Sequence, residues 1–373
     1  MRFPEFSGEW EMSSIGEQFE LYSGNTPSRM NKNQFDGSIN WITSGELKEH
    51  YISDTKEKIS EEAAKNNSLK LLPVGTFVIA IYGLEANGVR GTCSITTRES
   101  TISQACMAFT SKMDIQNEFL YSWYKKHGNI IGIKYAQGTK QQNLSYDIIE
   151  RFNISYPCME EQKKLIRFIS LIDQRIATQN KIIEDLKKLK SAIYQELFSN
   201  QQGEEYSLSE LVEIIKGQQI NGNELSENGK YYVMNGGIMP SGYYDDYNTE
   251  AGTISISEGG NSCGYVQYNS SKFWSGGHCY TLHIKPAAPI STLFLFHFLK
   301  WKETDIMTLR IGSGLPNIQK KDLSKVSIIV PTLDKQQRIM TLLSTFQMKI
   351  EHEDMYAINL NKQKQYLLSQ MFI

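Results

Sequence analysis

Two gapless copies of one pattern, 174 residues apart, dominate this sequence. Residues 138–198 read GTKQQNLSYDIIERFNISYPCMEEQKKLIRFISLIDQRIATQNKIIEDLKKLKSAIYQELF, and residues 312–372 read GSGLPNIQKKDLSKVSIIVPTLDKQQRIMTLLSTFQMKIEHEDMYAINLNKQKQYLLSQMF. Each copy begins with a turn-like loop, passes through a short apolar run to Pro157 or Pro331, and enters a long helical heptad pattern. A chain built twice from one plan predicts a pseudo-twofold molecule, which suits a target in two parts.

The helical part of each copy has the spacing of a coiled coil. Positions separated alternately by four and three residues form a seam, and eight of the ten seam positions in each copy are apolar. The seam of the first copy comprises Leu165, Ile169, Ile172, Ile176, Gln179, Ile183, Leu186, Lys190, Ile193 and Leu197. The seam of the second copy comprises Ile339, Leu343, Phe346, Ile350, Glu353, Ala357, Leu360, Lys364, Leu367 and Met371.

Four polar residues interrupt the two seams at equivalent places. If the helices pair antiparallel with a single offset, Lys190 faces Glu353 and Gln179 faces Lys364. A polar seam residue costs stability but can fix the register of a coiled coil, so we predict that these four residues do so. The alternative is that both lysines extend to water without a partner.

The segments outside the helices predict two similar β-rich units. Apolar runs such as residues 76–82, 104–109, 252–257 and 278–282 are short and lie between Gly and Asn turns, which indicates sheets with a few helices. We therefore predict an α+β fold with two globular domains separated by two long antiparallel helices. The predicted parts are residues 1–156, 157–201, 202–330 and 331–373.

Composition limits the class of protein. The 373 residues carry a net charge of −2 without a basic block, so any binding to DNA must use a local patch or depend on a partner. No apolar run approaches the roughly 20 residues of a membrane span, and the amino terminus lacks the pattern of a secretory signal. The five cysteines form no CxxC pair, and we expect free thiols in the cytoplasm.

A search for catalytic motifs in the sequence finds none. There is no phosphate-binding GxxxxGK[ST], no dinucleotide-binding GxGxxG after a strand and no HExxH. The pair His278-Cys279 aligns with Ala105-Cys106, so the cysteine belongs to the shared frame and the histidine does not. We expect a buried strand cysteine there, and we predict a non-catalytic protein that selects a target on which other subunits act.

The order of these features resembles the specificity subunit of type I restriction–modification enzymes. The resemblance covers nearly the whole chain and rests on two variable units, each followed by a proline, a glutamine near the helix start (Gln162, Gln336) and a helix that ends in Glu-Leu-Phe or Gln-Met-Phe. Family-like stretches occupy residues 22–28, 39–43 and 237–248. Each motif is weak alone, and their order and duplication make the match specific.

The resemblance implies a function. Each variable unit is expected to be a target-recognition domain that reads one half of a split, asymmetric DNA site, with the helix pair setting the spacing. Two methyltransferase subunits with S-adenosylmethionine are expected to dock on the helices and methylate adenine at N6. Two restriction and translocase subunits with ATP and Mg are expected to complete the complex. This chain is expected to bind no cofactor or metal itself, and we expect the isolated chain to bind DNA weakly.

The family has no fixed base-reading motif, so candidate DNA contacts are chosen by residue type and loop position. Arg and Lys suit phosphates or guanine, whereas Asn and Gln suit adenine. Lys140, Gln141 and Gln142 lie in a loop that recurs in both copies, which also suits a framework role. The candidates are Ser28, Arg29, Asn31, Lys32, Asn33, Arg90, Lys140, Gln141 and Gln142 in the first unit, and Gln218, Gln219, Asn221, Asn223, Lys230, Asn261 and Arg310 in the second.

Three other functions remain open at this level, and one is an enzyme with an unfamiliar active site, which an activity screen of the purified chain would detect. The chain is alternatively a stand-alone DNA-binding protein, which a neighbouring adenine methyltransferase gene would argue against. A lectin-like binding module is the third alternative, because eight tyrosines lie between residues 231 and 280 and aromatic rings also suit sugars or peptides.

Overall fold

The apolar runs between turns form strands, as predicted. In the computed structural model, which describes residues 2–83, 91–112, 114–135, 142–312 and 314–372, strands lie at Phe77–Ala80, Cys106–Ser111, Thr253–Ser257 and Cys279–Ile284. Every residue of Phe77–Ala80 and of Thr253–Ser257 is buried. Phe77–Ala80 is apolar throughout, whereas Thr253–Ser257 alternates Ile with small Thr and Ser residues that are buried as well.

The chain divides into two compact units, and each long helix contributes to both. The first unit contains Met1–Asn180 and Met355–Ile373, and the second contains Lys181–Asp354. The predicted four-part division at residues 156, 201 and 330 stays a prediction, because this partition by compactness cuts inside the helices. No helix in the described ranges is long and apolar enough to cross a membrane.

The first unit is built mainly from short strands. Its elements before the long helix are β1 (Glu11–Ser14), α1 (Ile15–Gln18), β2 (Phe19–Ser23), β3 (Ile39–Ile42), β4 (Tyr51–Ile52), β5 (Lys58–Ile59), α2 (Glu61–Asn66), β6 (Phe77–Ala80), β7 (Tyr82–Gly83), β8 (Cys93–Thr96), β9 (Ser100–Ile102), β10 (Cys106–Ser111), α3 (Asn117–Tyr135), β11 (Gln142–Asn143), α4 (Tyr146–Glu150) and β12 (Asn153–Tyr156). The helix α5 (Met159–Ser199) follows.

The main sheet of the first unit has the strand order β2-β10-β6-β8-β4. A smaller sheet joins β5, β3 and β9, and β1 pairs antiparallel with β12 so that Glu11 faces Tyr156. Helix α3 packs on the main sheet, with Phe119, Leu120 and Trp123 in the core. The unit is therefore an α+β fold, as predicted.

The second unit repeats this plan with different loops. Its elements are β13 (Glu204–Ser207), α6 (Leu208–Leu211), β14 (Val212–Lys216), β15 (Tyr231–Met234), β16 (Gly242–Tyr244), β17 (Thr253–Ser257), β18 (Val266–Asn269), β19 (Trp274–Ser275), β20 (Cys279–Ile284), α7 (Thr292–Trp301), α8 (Glu303–Thr308), α9 (Lys320–Leu323), β21 (Ser327–Val330) and the long helix α10 (Leu333–Met371).

The four strands of the main sheet of the second unit match four of the five strands of the main sheet of the first. The order β14-β20-β17-β18 corresponds to β2-β10-β6-β8, and the pair β13–β21 corresponds to β1–β12. Both copies also begin a short helix with a capping box, in which the backbone N–H of Ser14 or Ser207 donates to the carboxylate of Glu17 or Glu210. The two units thus share a frame down to individual backbone hydrogen bonds.

The coiled-coil seam is confirmed by burial, since none of its twenty predicted positions is exposed. Within the first unit, Asp173 of α5 pairs with Lys364 of α10 and Arg175 contacts Tyr356. Within the second unit, Lys187 pairs with Asp354 and Lys190 with Gln347. In each unit, the residue numbers of the α10 partners decrease as those of α5 increase. The two helices therefore run antiparallel in each unit.

The two seam lysines, Lys190 and Lys364, form hydrogen bonds with residues other than those predicted to face them. Lys190 donates to Gln347 at 2.6 Å, six residues before Glu353, and Lys364 donates to Asp173 at 2.5 Å, six residues before Gln179. Glu353 instead forms an ion pair with Lys349 on its own helix. A lysine stem extends over the adjacent helix surface, so its ammonium group reaches a partner that does not face its Cα.

These two contacts are themselves counterparts in the repeat, because Asp173 and Gln347 are 174 residues apart, as are Lys190 and Lys364. Burial lowers the pKa of the Lys190 ammonium group, which indicates that the contact lies partly away from water. That these polar residues fix the register of the helices stays a prediction.

A buried glutamine anchors the start of each long helix. The Gln162 side chain donates to the carbonyl oxygens of Asp114 and Pro157 and accepts from the backbone N–H of Gln116. Its counterpart Gln336 makes the same three kinds of contact, with Pro289, Pro331 and Ser291. The family-like glutamine therefore supplies hydrogen bonds to loop backbone groups that have no strand partner.

Candidate nucleic-acid interface

In the second unit, polar loops follow the ends of two central strands of the main sheet. Strands β17 and β20 pair antiparallel, with Ser257 opposite Cys279. One residue beyond this pair, the backbone N–H of Glu258 donates to the carbonyl of His278 at 2.9 Å. The loop that contains Asn317, which recurs in both copies, crosses the same edge of the sheet. Asn317 bridges to Gly259, and the N–H of Ile318 donates to the carbonyl of Glu258. The frame therefore positions three loops around one point.

These loops enclose an open cavity of about 440 Å³, which we call the Glu258 cavity after the carboxylate next to its wall. Its walls are mainly backbone, amide and imidazole groups. The lining residues are Asn235, Gly236, Gly237, Gly259, Gly260, Asn261, Ser262, His278, Leu315, Pro316 and Asn317.

A buried carboxylate lies beside the cavity. Oε1 of Glu258 accepts from Lys216 Nζ at 2.7 Å and from the Tyr280 hydroxyl at 2.9 Å. Oε2 is buried and has no hydrogen-bond partner among the described residues, and Nδ1 of His278 lies 4.0 Å from it. Burial, followed by the hydrogen bond to Glu258, raises the pKa of the Tyr280 hydroxyl, so that Tyr280 remains a donor.

Close backbone packing brings the loop after β14 to the same place. A Cβ at Gly217 would lie 2.2 Å from the carbonyl oxygen of Gly276, and a Cβ at Gly277 would lie 2.5 Å from Oε1 of Gln219. The indole N–H of Trp274 donates to the carbonyl of Gln218 at 2.9 Å and holds this loop against β19. At Gly217 the neighbouring atom belongs to the backbone, so only glycine permits this approach, whereas at Gly277 the neighbouring atom is the end of the Gln219 side chain.

Replacing Gly217 with alanine is therefore expected to lower the free energy of unfolding by about 1–3 kcal/mol, because backbone atoms must move apart to admit the methyl group. Urea unfolding of the variant and the wild type measures the difference. Gly222→Ala is the matched control in the same loop, because its Cβ would meet open space. Equal stability of the two variants would contradict this packing argument.

The first unit has a cavity at the equivalent place. It measures about 390 Å³ and is lined by Ser23, Gly24, Ile81, Tyr82, Gln104, Asn143, Leu144, Ser145 and Tyr146. Asn143 pairs with Tyr82, and the N–H of Leu144 donates to the carbonyl of Ile81. Asn143 and Asn317 thus make the same contact, whereas Ile81 replaces the carboxylate of Glu258.

The first-unit candidates divide into three groups. Ser28, Arg29, Asn31, Lys32 and Asn33 are exposed together on the segment between β2 and β3. Arg90, Lys140 and Gln141 lie outside the described residues. For Gln142 only the backbone is described, and it pairs in β11 with Gly83 of β7.

Arg29 is already engaged by its own unit. Its guanidinium group donates to both carboxylate oxygens of Glu57 at 2.7 and 2.8 Å and lies over the rings of Phe35 and Trp41. This hydrogen bonding lowers the pKa of Glu57 and raises that of Arg29. A bidentate, stacked arginine orders its own loop, so the contacts of Arg29 indicate a framework role.

The second-unit candidates are all exposed, and only some lie at the cavity. Asn261 lines it, and Gln219 packs on Gly277 beside His278. Gln218 contributes its backbone to the Trp274 contact. The others do not line the cavity: Asn221, Asn223, Lys230 and Arg310.

Sequence reasoning missed three residues at this place, namely Asn235, Glu258 and His278. The alignment of the two copies contained a signal for two of them, because the frame residue Cys279 matches Cys106 while its neighbour His278 matches Ala105. Strand pairing extends this alignment to Glu258 and Ile81. Polar residues that differ between copies on a common frame mark positions with a unit-specific role.

Most tyrosines of the 231–280 region have structural contacts. Tyr232 stacks on Phe273, Tyr244 packs against Trp274, and Lys272 lies over the ring of Tyr247. Of the eight tyrosines, only Tyr243 is exposed. The cluster therefore stabilises the small sheet β16-β15-β19 and does not form an open sugar-binding platform.

Four of the five cysteines are buried in the core, which indicates a structural role for them. Cys93, Cys106, Cys263 and Cys279 are free and buried, which confirms the prediction of a buried strand cysteine at Cys279. Burial raises the pKa of Cys93 and Cys106 to about 12 and that of Cys279 to about 11, so these thiols remain protonated. The described part of the chain contains no group of three or more His, Cys, Asp or Glu residues that could hold a metal ion.

Comparison with known proteins gives the family. The model of the type I restriction modification DNA specificity domain matches residues 7–188 and 200–360. The chain therefore belongs to this family, and it contains two copies of the domain. The resemblance stated from the sequence is confirmed.

Similar proteins carry corresponding names. The putative type I specificity subunit S.MpnORF638P of Mycoplasma pneumoniae is 34% identical over 162 residues, which is 43% of this chain and 43% of that protein. The type I restriction enzyme MjaIX specificity subunit of Methanocaldococcus jannaschii is 28% identical over 194 residues, which is 51% of this chain and 44% of that protein. The chain thus matches less than half the length of these relatives.

The fold extends over complete solved structures. The crystal structure of the type I restriction–modification system S subunit from M. genitalium matches with a TM-score of 0.59 and 18% identity, covering 100% of this chain and 99% of that chain. At this identity the match supports the arrangement of elements and not the details of the site.

Proposed function

We propose that this chain is the DNA sequence-specificity subunit of a type I restriction–modification system and that its two units read the two halves of a bipartite, asymmetric site. One observation carries the proposal. Equivalent cavities lie at the same strand ends in both units, and their walls differ in hydrogen-bonding groups. A shared frame with different polar walls suits two different base sequences, because base edges in the major groove differ in their donors and acceptors.

The proposed partners supply the chemistry. Methyltransferase subunits, two in number, carry S-adenosylmethionine and methylate adenine, and two restriction and translocase subunits carry ATP and Mg. The chain itself selects the site and performs no catalysis. Because these reactions act on DNA, we expect the chain in the cytoplasm with the DNA. Its net charge of −2 supports weak DNA binding by the isolated chain, because phosphate contacts supply much of the affinity.

A methylome comparison tests the proposal. The chain is expressed with the methyltransferase subunit of its own host in cells that lack adenine methylation, and genomic DNA is sequenced by a method that detects N6-methyladenine. We expect a single bipartite motif that disappears when this chain is omitted. Methylation without the chain, or a continuous motif without a spacer, would contradict the proposal. A stand-alone DNA-binding protein would leave no methylation in either case.

A further inference from the structure

The Glu258 cavity combines three properties that a base-reading site needs. Its wall carries exposed amide and imidazole groups, its backbone is paired by hydrogen bonds, and a buried carboxylate oxygen beside it lacks a hydrogen-bond partner among the described residues. Oε2 of Glu258 is buried without a hydrogen-bond partner among the described residues, although Oε1 has two. Buried polar atoms are almost always paired, so an unpaired carboxylate oxygen beside a cavity indicates a donor that is supplied in the bound state.

His278 can supply that donor. Its Nδ1 lies 4.0 Å from Oε2, and its side chain remains 63% exposed on the cavity wall. A small rotation of the ring would allow Nδ1–H to donate to Oε2. The Nε2 side of the imidazole is then left for a ligand.

Asn261 is the second exposed polar side chain of the wall. It follows Gly259 and Gly260, whose backbones are held by the recurring loop: Gly259 bridges to Asn317, and the N–H of Gly260 donates to Pro316. An amide on such an anchored turn presents one donor and one acceptor together. This pair matches the N7 acceptor and N6 donor of adenine in the major groove.

Resting on the proposed function, we propose that the Glu258 cavity binds the major-groove edge of a purine in the half-site of the second unit. Asn261 and His278 are the reading side chains, and Glu258 is a positioning residue that orients His278. Asn235 holds the wall, because its Oδ1 accepts from the backbone N–H of His278 at 3.1 Å.

Comparison with the first unit shows why this contact with a base is specific to one half-site. At the equivalent positions it has Ile81 in place of Glu258 and Ala105 in place of His278. That cavity therefore lacks the carboxylate–imidazole pair, although Asn143 and Asn317 maintain the same backbone frame. The pair belongs to the reading function of the second unit and not to the shared fold.

Methylome sequencing of variants in the complete methyltransferase complex tests the proposal. Asn261→Ala and His278→Ala are expected to lower methylation of the wild-type motif roughly tenfold and to relax one or two adjacent base pairs in one half of the motif, while the other half stays unchanged. Asn129→Ala is the matched control, because Asn129 is exposed on α3 and does not line the cavity, and it should retain the wild-type motif.

A chemical probe identifies the contacted atom. Duplexes with the wild-type motif carry 7-deazaadenine or 7-deazaguanine at each purine of the affected half-site in turn, and binding of the whole complex is measured by fluorescence anisotropy. At one purine the loss of N7 should weaken the wild type roughly tenfold and should have little further effect on Asn261→Ala, whose amide is the group proposed to donate to N7.

The outcomes separate the two proposals. If the wild-type complex gives no bipartite motif, the proposed function fails and the cavity proposal fails with it. If the motif is present but both cavity variants methylate it unchanged, only the cavity proposal is overturned. A uniform loss of methylation in the variants, without relaxation at any base pair and with an equal deaza effect in variant and wild type, also overturns base reading.

Discussion

Replacing Phe198 with alanine is expected to lower the free energy of unfolding by about 3–5 kcal/mol, because a fully packed aromatic ring is lost and a cavity remains. Phe198 lies at the end of α5 and is 2% exposed. Its ring contacts Phe294 and Phe298 of α7 and Trp301 at centroid distances of 5.7–5.8 Å. Urea unfolding monitored by tryptophan fluorescence measures the loss.

Phe372 provides an independent repeat of this experiment in the first unit. It is the counterpart of Phe198 at the end of α10, and its ring lies 5.2 Å from that of Phe119. Phe372→Ala should destabilise the protein by a similar amount. Leu189→Ala is the control, since Leu189 is an exposed residue of α5 and its truncation should change stability by less than about 1 kcal/mol. A small effect at both phenylalanines would refute the view that each helix end completes a core.

Replacing Gln162 with leucine is expected to cost about 2–4 kcal/mol. The side chain is fully buried, and its removal leaves the carbonyls of Asp114 and Pro157 and the N–H of Gln116 without their partner. Unsatisfied buried groups cost about 1–3 kcal/mol each, and partial access to water at the loop reduces the sum. Chemical denaturation compared with the wild type tests this value.

Two further variants provide a repeat of this experiment and a control. Gln336→Leu should lose a similar amount, because Gln336 makes equivalent bonds at the start of α10. Gln174→Leu should have little effect, since Gln174 is exposed on α5 and makes only a 3.4 Å contact with Ser170. If all three variants unfold alike, the anchoring role of the buried glutamines is incorrect.

Much of the fold could be predicted from local pattern. The heptad spacing located all twenty buried or half-buried seam positions, and the short apolar runs located the central strands. Both succeed because side-chain periodicity reflects which face of an element is buried. The partners of Lys190 and Lys364 could not be predicted, because long flexible side chains choose partners by reach and not by seam position.

The candidate site was only partly predictable. Residue type and loop position selected Asn261 and Gln219, which lie at or beside the Glu258 cavity. The same reasoning selected Arg29, whose guanidinium group is occupied by Glu57. Residue type describes what a side chain can bind, whereas a neighbour distant in sequence decides whether the side chain is available.

The sequence by itself determined the duplication, the α+β class, the two long helices and the family, because each depends on order and periodicity along the chain. Only the tertiary structure decided which polar groups meet. Glu258 and His278 are 20 residues apart in sequence, and they become neighbours because β17 and β20 pair antiparallel and end together. Strand pairing is a non-local interaction, so the site that it creates cannot be read from either segment alone.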